Sequence, residues 1–245
     1  MYGKEDLGSW ELFKGDFINF GYWDCVDLQK RELTEKDRIL SSKRLYEKLF
    51  DALSPNQTSV IAEVGCGLGQ GALLMADYAS HVVGIDASKE QIVRAVSHNS
   101  DEICEKKDRV EFKYGTAENL PLASESLNGI YSLEAVQHFA SVADFCKSAF
   151  NVLKTEGILA ISSFFFSKLP KGSLDGMPTF ENGVDNALII GDLVYDLRAS
   201  GFRNIELQSL GEFVWKGFDA WVSQTSYKNT WNRKWLKLYE DGLID

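Results

Sequence analysis

A chain of 245 residues, 44% hydrophobic and 25% charged, is long enough for one α/β domain with a sizeable core. A formal net charge of −10 and a pI near 4.9 disfavour a nucleic-acid backbone as partner, and no Lys/Arg run offsets that. Charges at Lys4, Glu5, Asp6, Glu11, Lys14 and Asp16 break any secretory leader, and the longest apolar stretch, 157–166, is too short for a membrane span.

These features lead to the expectation of a soluble, cytoplasmic protein. Cys25, Cys66, Cys104 and Cys146 are scattered without a C-x-x-C pair, which reads as reduced thiols. His81, His98 and His138 share no metal-ligand spacing, so no metal site is expected.

Residues 1–35 are aromatic and acidic, with Phe20-Gly21-Tyr22-Trp23 standing out. Tyr46, Leu49, Phe50 and Leu53 then recur at helical spacing within 39–53, and Ser54-Pro55 closes that helix. From Val60 the pattern alternates. Strand-like runs fall at 60–64, 81–85, 110–114, 129–133 and 157–165, with helix-like segments at 71–78, 88–98 and 142–153. Ser88 and Gln91 have the spacing of a capping box, which places a helix start just after Asp86. Strands separated by helices of this length predict right-handed crossovers and a parallel sheet. A helix at 187–199 closed by Gly201, then strands at 204–210 and 212–215 with a short link, predict an antiparallel final pair.

The expected organisation is a single domain over 1–245. It comprises an N-terminal helical arm (1–55), a core (56–216) and an aromatic C-terminal segment (217–245). Trp215, Phe218, Trp221, Tyr227, Trp231, Trp235 and Tyr239 crowd that end of the chain. They read either as an amphipathic helix packed on the sheet or as a lid over an apolar pocket; left exposed, they would offer a homodimer surface.

The first strand carries Glu63, and Gly65, Gly67 and Gly69 alternate behind it before a helix. Glycines permit positive φ and let a ligand approach the backbone. A carboxylate two residues before the first glycine would repel a pyrophosphate and welcome a cationic ligand. The same stretch also satisfies the loose dinucleotide pattern, from Gly67 to Ala72 with Asp86 downstream, so an NAD-dependent oxidoreductase is one alternative. A merely structural glycine turn is another.

Glu63-x-Gly65-x-Gly67-x-Gly69 resembles the first motif of the class I S-adenosylmethionine (SAM)-dependent methyltransferases. Phe20 to Trp23 resembles the "G-Y-W" element of their small-molecule group, the sterol, quinone, phosphobase and natural-product enzymes. The resemblance spans roughly residues 18–165. It implies a Rossmann-like, doubly wound seven-stranded sheet, mostly parallel with an antiparallel last strand. It also implies SAM as cofactor, S-adenosylhomocysteine as product and a small, partly apolar methyl acceptor.

Carried over residue by residue, the resemblance puts Glu63, Gly65, Cys66, Gly67 and Gly69 around SAM, with Cys66 as a small space-filler. Tyr22 would reach the methionine end, and Asp86 the ribose hydroxyls, with Ala87 and Gln91 flanking the adenosine. The segment 114–122 is similar to the family's G-D-A-E-x-L-P-F, with Thr116 in place of the acid that accepts the adenine amino group. Ala117 would offer its N–H to the adenine, Glu118 is either a further contact or a surface acid, and Leu133 would lie under the methionine part. Residues 152–161 resemble an L-x-P-G-G turn in which Thr155 and Glu156 replace the proline and first glycine.

Methyl transfer needs positioning first and a base only where the nucleophile loses a proton. His138 is the candidate base. Glu134, one helical turn away, would orient it or touch the acceptor. The sequence leaves oxygen, nitrogen or carbon open as nucleophile, and a non-catalytic SAM-binding protein stays open as a further alternative.

Overall fold

The computed structural model describes residues 10–29, 32–106, 109–169, 174, 177–228 and 232–245. Five strands, β1 (Val60–Val64), β2 (His81–Asp86), β3 (Val110–Tyr114), β4 (Leu127–Leu133) and β5 (Leu153–Ser162), lie in the order β3-β2-β1-β4-β5. All their pairings are parallel. β1 and β2 are buried along almost their whole length because helices cover both of their faces. The chain runs outward from β1 through β2 to β3, then returns to β4 on the other side of β1. That reversal opens a crevice at the carboxyl end of β1.

Nine helices join or flank the strands among the described residues: α1 (Glu35–Leu53), α2 (Gln70–Met75), α3 (Lys89–His98), α4 (Ser100–Lys106), α5 (Val142–Val152), α6 (Pro178–Glu181), α7 (Ile190–Ser200), α8 (Gly211–Val222) and α9 (Asn232–Glu240). α1 begins four residues before the expected Ile39, because Thr34 and Asp37 form a reciprocal capping box. It ends where Ser54 turns left-handed at φ 45° ahead of Pro55. Leu45, Tyr46 and Leu49 of α1 and Leu73 and Met75 of α2 bury one face of the sheet, against Ile61, Val82 and Tyr131. Phe145, Ala149 and Val152 of α5 bury the other, against Ala62, Val64, Val83 and Ile130.

The sheet has five strands, all parallel, rather than seven with an antiparallel last strand. Residues 204–210 run without strand pairing, and the stretch expected as a strand at 212–215 is the first turn of α8. Val214, Trp215, Phe218, Trp221 and Val222 are buried along one stripe of that helix, a 3.6-residue period that outweighs the local β-propensity of Phe213 to Trp215. The C-terminal end makes a single antiparallel bridge, Ile244 to Phe166, beyond the end of β5. The outer edge of β5 therefore faces a groove of about 1580 Å³, walled by Leu45 and Leu49 of α1, Leu193 and Leu197 of α7, and Ile205 and Leu207. At the carboxyl end of β5 the groove reaches Phe20, Glu134, Ser163, Phe164 and Trp215.

The aromatic C-terminal segment is core rather than an exposed face. Trp215, Phe218, Trp221 and Trp235 are buried, and the Trp215 and Trp235 rings stack 5.5 Å apart. Phe20 of the N-terminal arm meets Phe218 edge-on at 4.8 Å. Arg38 joins arm to body: wholly buried, it donates to Leu12 O, Asn19 O and Ser42 Oγ beneath the ring of Phe218. Trp231 lies outside the described residues. Among the described residues no helix is long and apolar enough to cross a membrane.

Candidate active site

The glycine loop sits at the crevice beyond β1. Gly65 N–H and Cys66 N–H both donate to Ile85 O, at 2.8 and 3.0 Å, and Gly69 N–H donates to Cys66 O at 2.8 Å. Gly65, Gly67 and Gly69 all have positive φ, 82°, 50° and 82°. Their reasons differ. A Cβ on Gly65 would stand 2.4 Å from Ala135 Cβ, and one on Gly69 2.5 Å from Phe112 Cζ, so close packing excludes both. A Cβ on Gly67 would meet nothing within 4 Å, so Gly67 alone faces open space. Cys66 is buried behind the loop, and burial pushes its thiol well above the usual range.

Glu63 is 1% exposed, turned beneath the start of α2 toward Tyr46 and Tyr131. Desolvation pushes its carboxyl up to about 8, although the tyrosine hydroxyls and Ala72 N–H pull the other way. Its Oε2 is buried without a hydrogen-bond partner of normal geometry. That leaves acceptor capacity and latent negative charge under the loop.

Asp86, at the end of β2, accepts Gly67 N–H at 2.9 Å with Oδ2 and Ser88 N–H at 2.8 Å with Oδ1. One acid thus fixes both the glycine loop and the start of α3, and each oxygen keeps a second lone pair for a ligand hydroxyl. Burial raises its pKa while those two bonds and the nearby His138 lower it. Ser88 caps α3 through Gln91 N–H at 3.2 Å, and Gln91 is itself buried; Ala87, between Asp86 and Ser88, is exposed.

After β3, Thr116 is exposed and Ala117 buried. Glu118 accepts Ala140 N–H at 2.8 Å and Ser141 N–H at 3.2 Å, so its carboxylate ties the turn before α5. Leu133 is buried at the end of β4. Tyr22 packs between Phe213, 5.1 Å away, and the Lys48 ammonium, 4.8 Å from its ring. Its N–H donates to Ser41 O at 2.8 Å, which Gly21 permits, since a Cβ there would be 2.5 Å from Ser41 Oγ.

His138 ends a 3₁₀ turn, Val136–His138, beyond β4. Its Nδ1 lies 3.0 Å from Val184 O and 3.0 Å from Asp185 Oδ1, and its Nε2 lies 3.1 Å from Gln137 Nε2. Gln137 Nε2 also donates to Glu134 O at 2.7 Å, and its Oε1 accepts Ser163 Oγ–H at 2.8 Å. The expected orienting residue is corrected here. Glu134 takes a left-handed φ of 47° instead of a helical one, and its Oε2 accepts Phe20 N–H at 2.9 Å. The carboxylate at the His138 ring belongs to Asp185. Apolar surroundings push the Glu134 carboxyl up to about 8, opposed by the Phe20 bond and the charge of Arg38.

Asp185, Gln137, Ser163 and Gly71 escaped the sequence reading. Asp185 sits in a segment without periodicity or motif, so no local signal marks it. Gly71 was legible in principle, as the first-turn residue of α2 that faces β1.

Comparison with known proteins bears on this loop and its acid directly. A family model described as "Methyltransferase domain" matches residues 62–161, the stretch from β1 to β5. The erythromycin 3''-O-methyltransferase of Saccharopolyspora erythraea is 28% identical over 85% of this chain and 69% of its own length. Residues 62–161 carry a methyltransferase domain. The relatives are small-molecule methyltransferases by name, which supports SAM-dependent methyl transfer to a small molecule. An O-methyltransferase of Penicillium expansum is 28% identical over 82% of this chain and 70% of its own. The fold of this chain is also that of the geranyl diphosphate C-methyltransferase of Streptomyces coelicolor A3(2), solved with S-adenosyl-L-homocysteine. The two superpose with a TM-score of 0.82 at 14% identity, over 99% of this chain and 91% of that one.

The neighbours' cofactor chemistry points to SAM, and the residues present fit it. The open side of Gly67 leaves room against the backbone, and the unpartnered buried Glu63 Oε2 suits a cationic ligand.

Proposed function

We propose that this enzyme methylates a hydroxyl of a small, partly apolar molecule, with His138 as general base. The observation that carries the reading is the hydrogen-bonding of His138. Val184 O can only accept at Nδ1, which assigns the proton there, while Gln137 Nε2 can only donate, which assigns the lone pair to Nε2. An imidazole held in that tautomer presents its basic nitrogen on the side where Gln137 and Ser163 lead to the groove.

SAM supplies an activated methyl on a sulfonium. Glu63 would face its positive end, Asp86 the ribose hydroxyls, and Thr116 and Ala117 the adenine. Gly67 lets the backbone approach it. At the acceptor, the hydroxyl passes its proton to Nε2 as its oxygen takes the methyl; the electron pair of the broken carbon–sulfur bond stays on sulfur. Phe20, Phe164 and Trp215 would cover the apolar part of the acceptor, and Trp215 Nε1, buried without a partner, would be free to donate to it. The names of the sequence relatives, O-methyltransferases among them, favour oxygen. The four free cysteines suit a reducing, cytoplasmic setting.

The test is incubation with SAM and a panel of glycosylated macrolides, phenols and hydroquinones, each read by mass spectrometry for one added methyl. A product on oxygen that is lost in His138→Gln supports the reading. Methylation only of amines, undiminished in His138→Gln, overturns it.

A further inference from the structure

Trp23, Trp215 and Trp221 are all buried where α8 meets the N-terminal arm, and they differ in one respect. Trp23 Nε1 donates to Phe20 O at 3.0 Å, and Trp221 Nε1 donates to Leu12 O at 3.1 Å. Trp215 is 3% exposed, yet its Nε1 is buried without a hydrogen-bond partner. An indole nitrogen can only donate, and when buried it ordinarily finds an acceptor. The ring is also held in place. Trp235 stacks on it with 4° between the planes, and Phe20 lies 5.2 Å away. Phe20 is itself fixed, by Glu134 Oε2 at its N–H and Trp23 Nε1 at its carbonyl.

Trp215 borders the groove at the carboxyl end of β5, together with Glu134 and Ser163. Those two are engaged inside the protein: Glu134 Oε2 accepts Phe20 N–H at 2.9 Å, and Ser163 Oγ–H donates to Gln137 Oε1 at 2.8 Å. Trp215 Nε1 is left over. We propose that Trp215 Nε1–H binds a second oxygen of the acceptor, an acceptor-only one such as a carbonyl or ether, apart from the hydroxyl that is methylated. The substrate class is then an apolar molecule that carries both oxygens. The inference rests on the reading of this groove end as the acceptor site and deepens it. A hydroxyl suits the place less well, because its own proton would be stranded among Phe20, Phe164 and Trp235. An acceptor with a methylene in place of the second oxygen leaves the indole N–H unpaired, and a site built around such a donor discriminates against it.

The test uses a matched pair of probes, 4-hydroxybenzophenone and 4-benzylphenol, which differ by a carbonyl against a methylene. Affinities are measured by calorimetry on the S-adenosylhomocysteine complex of wild type, Trp215→Phe and His138→Gln. Wild type should bind the ketone about tenfold tighter. The ketone also acidifies the phenol, so the comparison between proteins decides. The preference should collapse in Trp215→Phe, which keeps an aromatic ring but loses the donor, and persist in His138→Gln. The indole N–H resonance of Trp215, assigned through its contacts with Phe20 and Trp235, should move downfield with the ketone and stay with the methylene probe. Equal affinities in wild type, undetectable ones included, overturn the proposal. So does a preference that survives in Trp215→Phe and falls in His138→Gln, an outcome that leaves the base reading intact. Loss of the preference in Trp215→Phe, alongside methylation undiminished in His138→Gln, keeps the Trp215 contact and removes the base. Should Trp215→Phe not fold, the wild-type resonance decides: an indole signal that answers both probes alike, or neither, overturns the proposal.

Discussion

Glu63 reaches beneath α2 through the space that Gly71 leaves: a Cβ on Gly71 would stand 2.3 Å from Glu63 Oε1 and 2.3 Å from Tyr46 Cε1. The helix following the glycine loop is thus built around the acid, and the acid's position depends on a residue outside the alternating glycines. Gly71→Ala should cost about 1–3 kcal/mol of stability through overpacking, since neither the buried carboxyl nor the tyrosine ring has room to yield. It should weaken SAM more than acceptor binding. Gly67→Ala should weaken SAM as well without a clash, because its Cβ points into open space, at the roughly 1–2 kcal/mol cost of a side chain at φ 50°. Calorimetric titration and structures of the pair separate the two effects: a displaced Glu63 is expected in Gly71→Ala only, and an undisturbed Glu63 there would contradict the assignment.

Burial of Glu63 makes cofactor binding a pH-dependent event. Its pKa rises from an ordinary 4.5 to about 8 in the free protein, so folding stability from this group is fully present below 4.5 and is lost as pH climbs through 8. Glu134, also pushed to about 8, acts in the same direction. A cationic ligand beside Glu63 reverses the preference and must expel its proton. SAM affinity should therefore rise by up to about tenfold per pH unit on approaching pH 8 and then level off. Calorimetry in buffers of different ionisation enthalpy would show the released proton. Glu63→Gln should abolish both the slope and the release, whereas Glu134→Gln should leave them in place.

Much of the cofactor side of this enzyme is written locally. β1, the glycines and Asp86 follow one another within a short stretch of chain, and each leaves a signature in residue type and spacing. The acceptor side is not local. His138 was readable as a candidate, but its carboxylate comes from Asp185, brought across by the packing of 184–186 on the turn beyond β4. Glu134 has the right spacing for a helical partner, and fails because its left-handed backbone turns the side chain to Phe20. The stretch 212–215 misled for a different reason. Phe, Val and Trp favour a strand over four residues, but burial was decided by the stripe that continues to Trp221 and Val222.

Arg38 is the buried tie between the N-terminal arm and the body. Its donors satisfy Leu12 O and Asn19 O, and burial lowers its pKa to about 10 against the favourable charge of Glu134. Arg38→Met keeps most of the bulk but orphans those carbonyls and leaves Glu134 without its cation. A loss of about 3 kcal/mol is expected, as for breaking one partner of a buried polar network. Hydrogen exchange should rise first in 12–23, ahead of the sheet. Uniform loss of protection across β1 to β5 would mean that the arm and sheet are one cooperative unit and that Arg38 is not a local tie.

Glu156 offers the opposite kind of change. Between Leu127↔Leu153 and Gly129↔Ile158 the pairing of β4 with β5 jumps register, and the extra residues loop out around Glu156, which is exposed at φ 65°. A side chain in the left-handed region costs roughly 1–2 kcal/mol, part of which glycine gives back through its freer unfolded chain. Glu156→Gly should then stabilise the protein by about 0.5–1 kcal/mol. It also removes one acid from a chain that already carries a net charge of −10. Glu156→Ala separates the two contributions, because it removes the same charge but retains the strained backbone. Equal gains in melting temperature for the two variants would assign the effect to charge, and a gain confined to glycine would assign it to the turn.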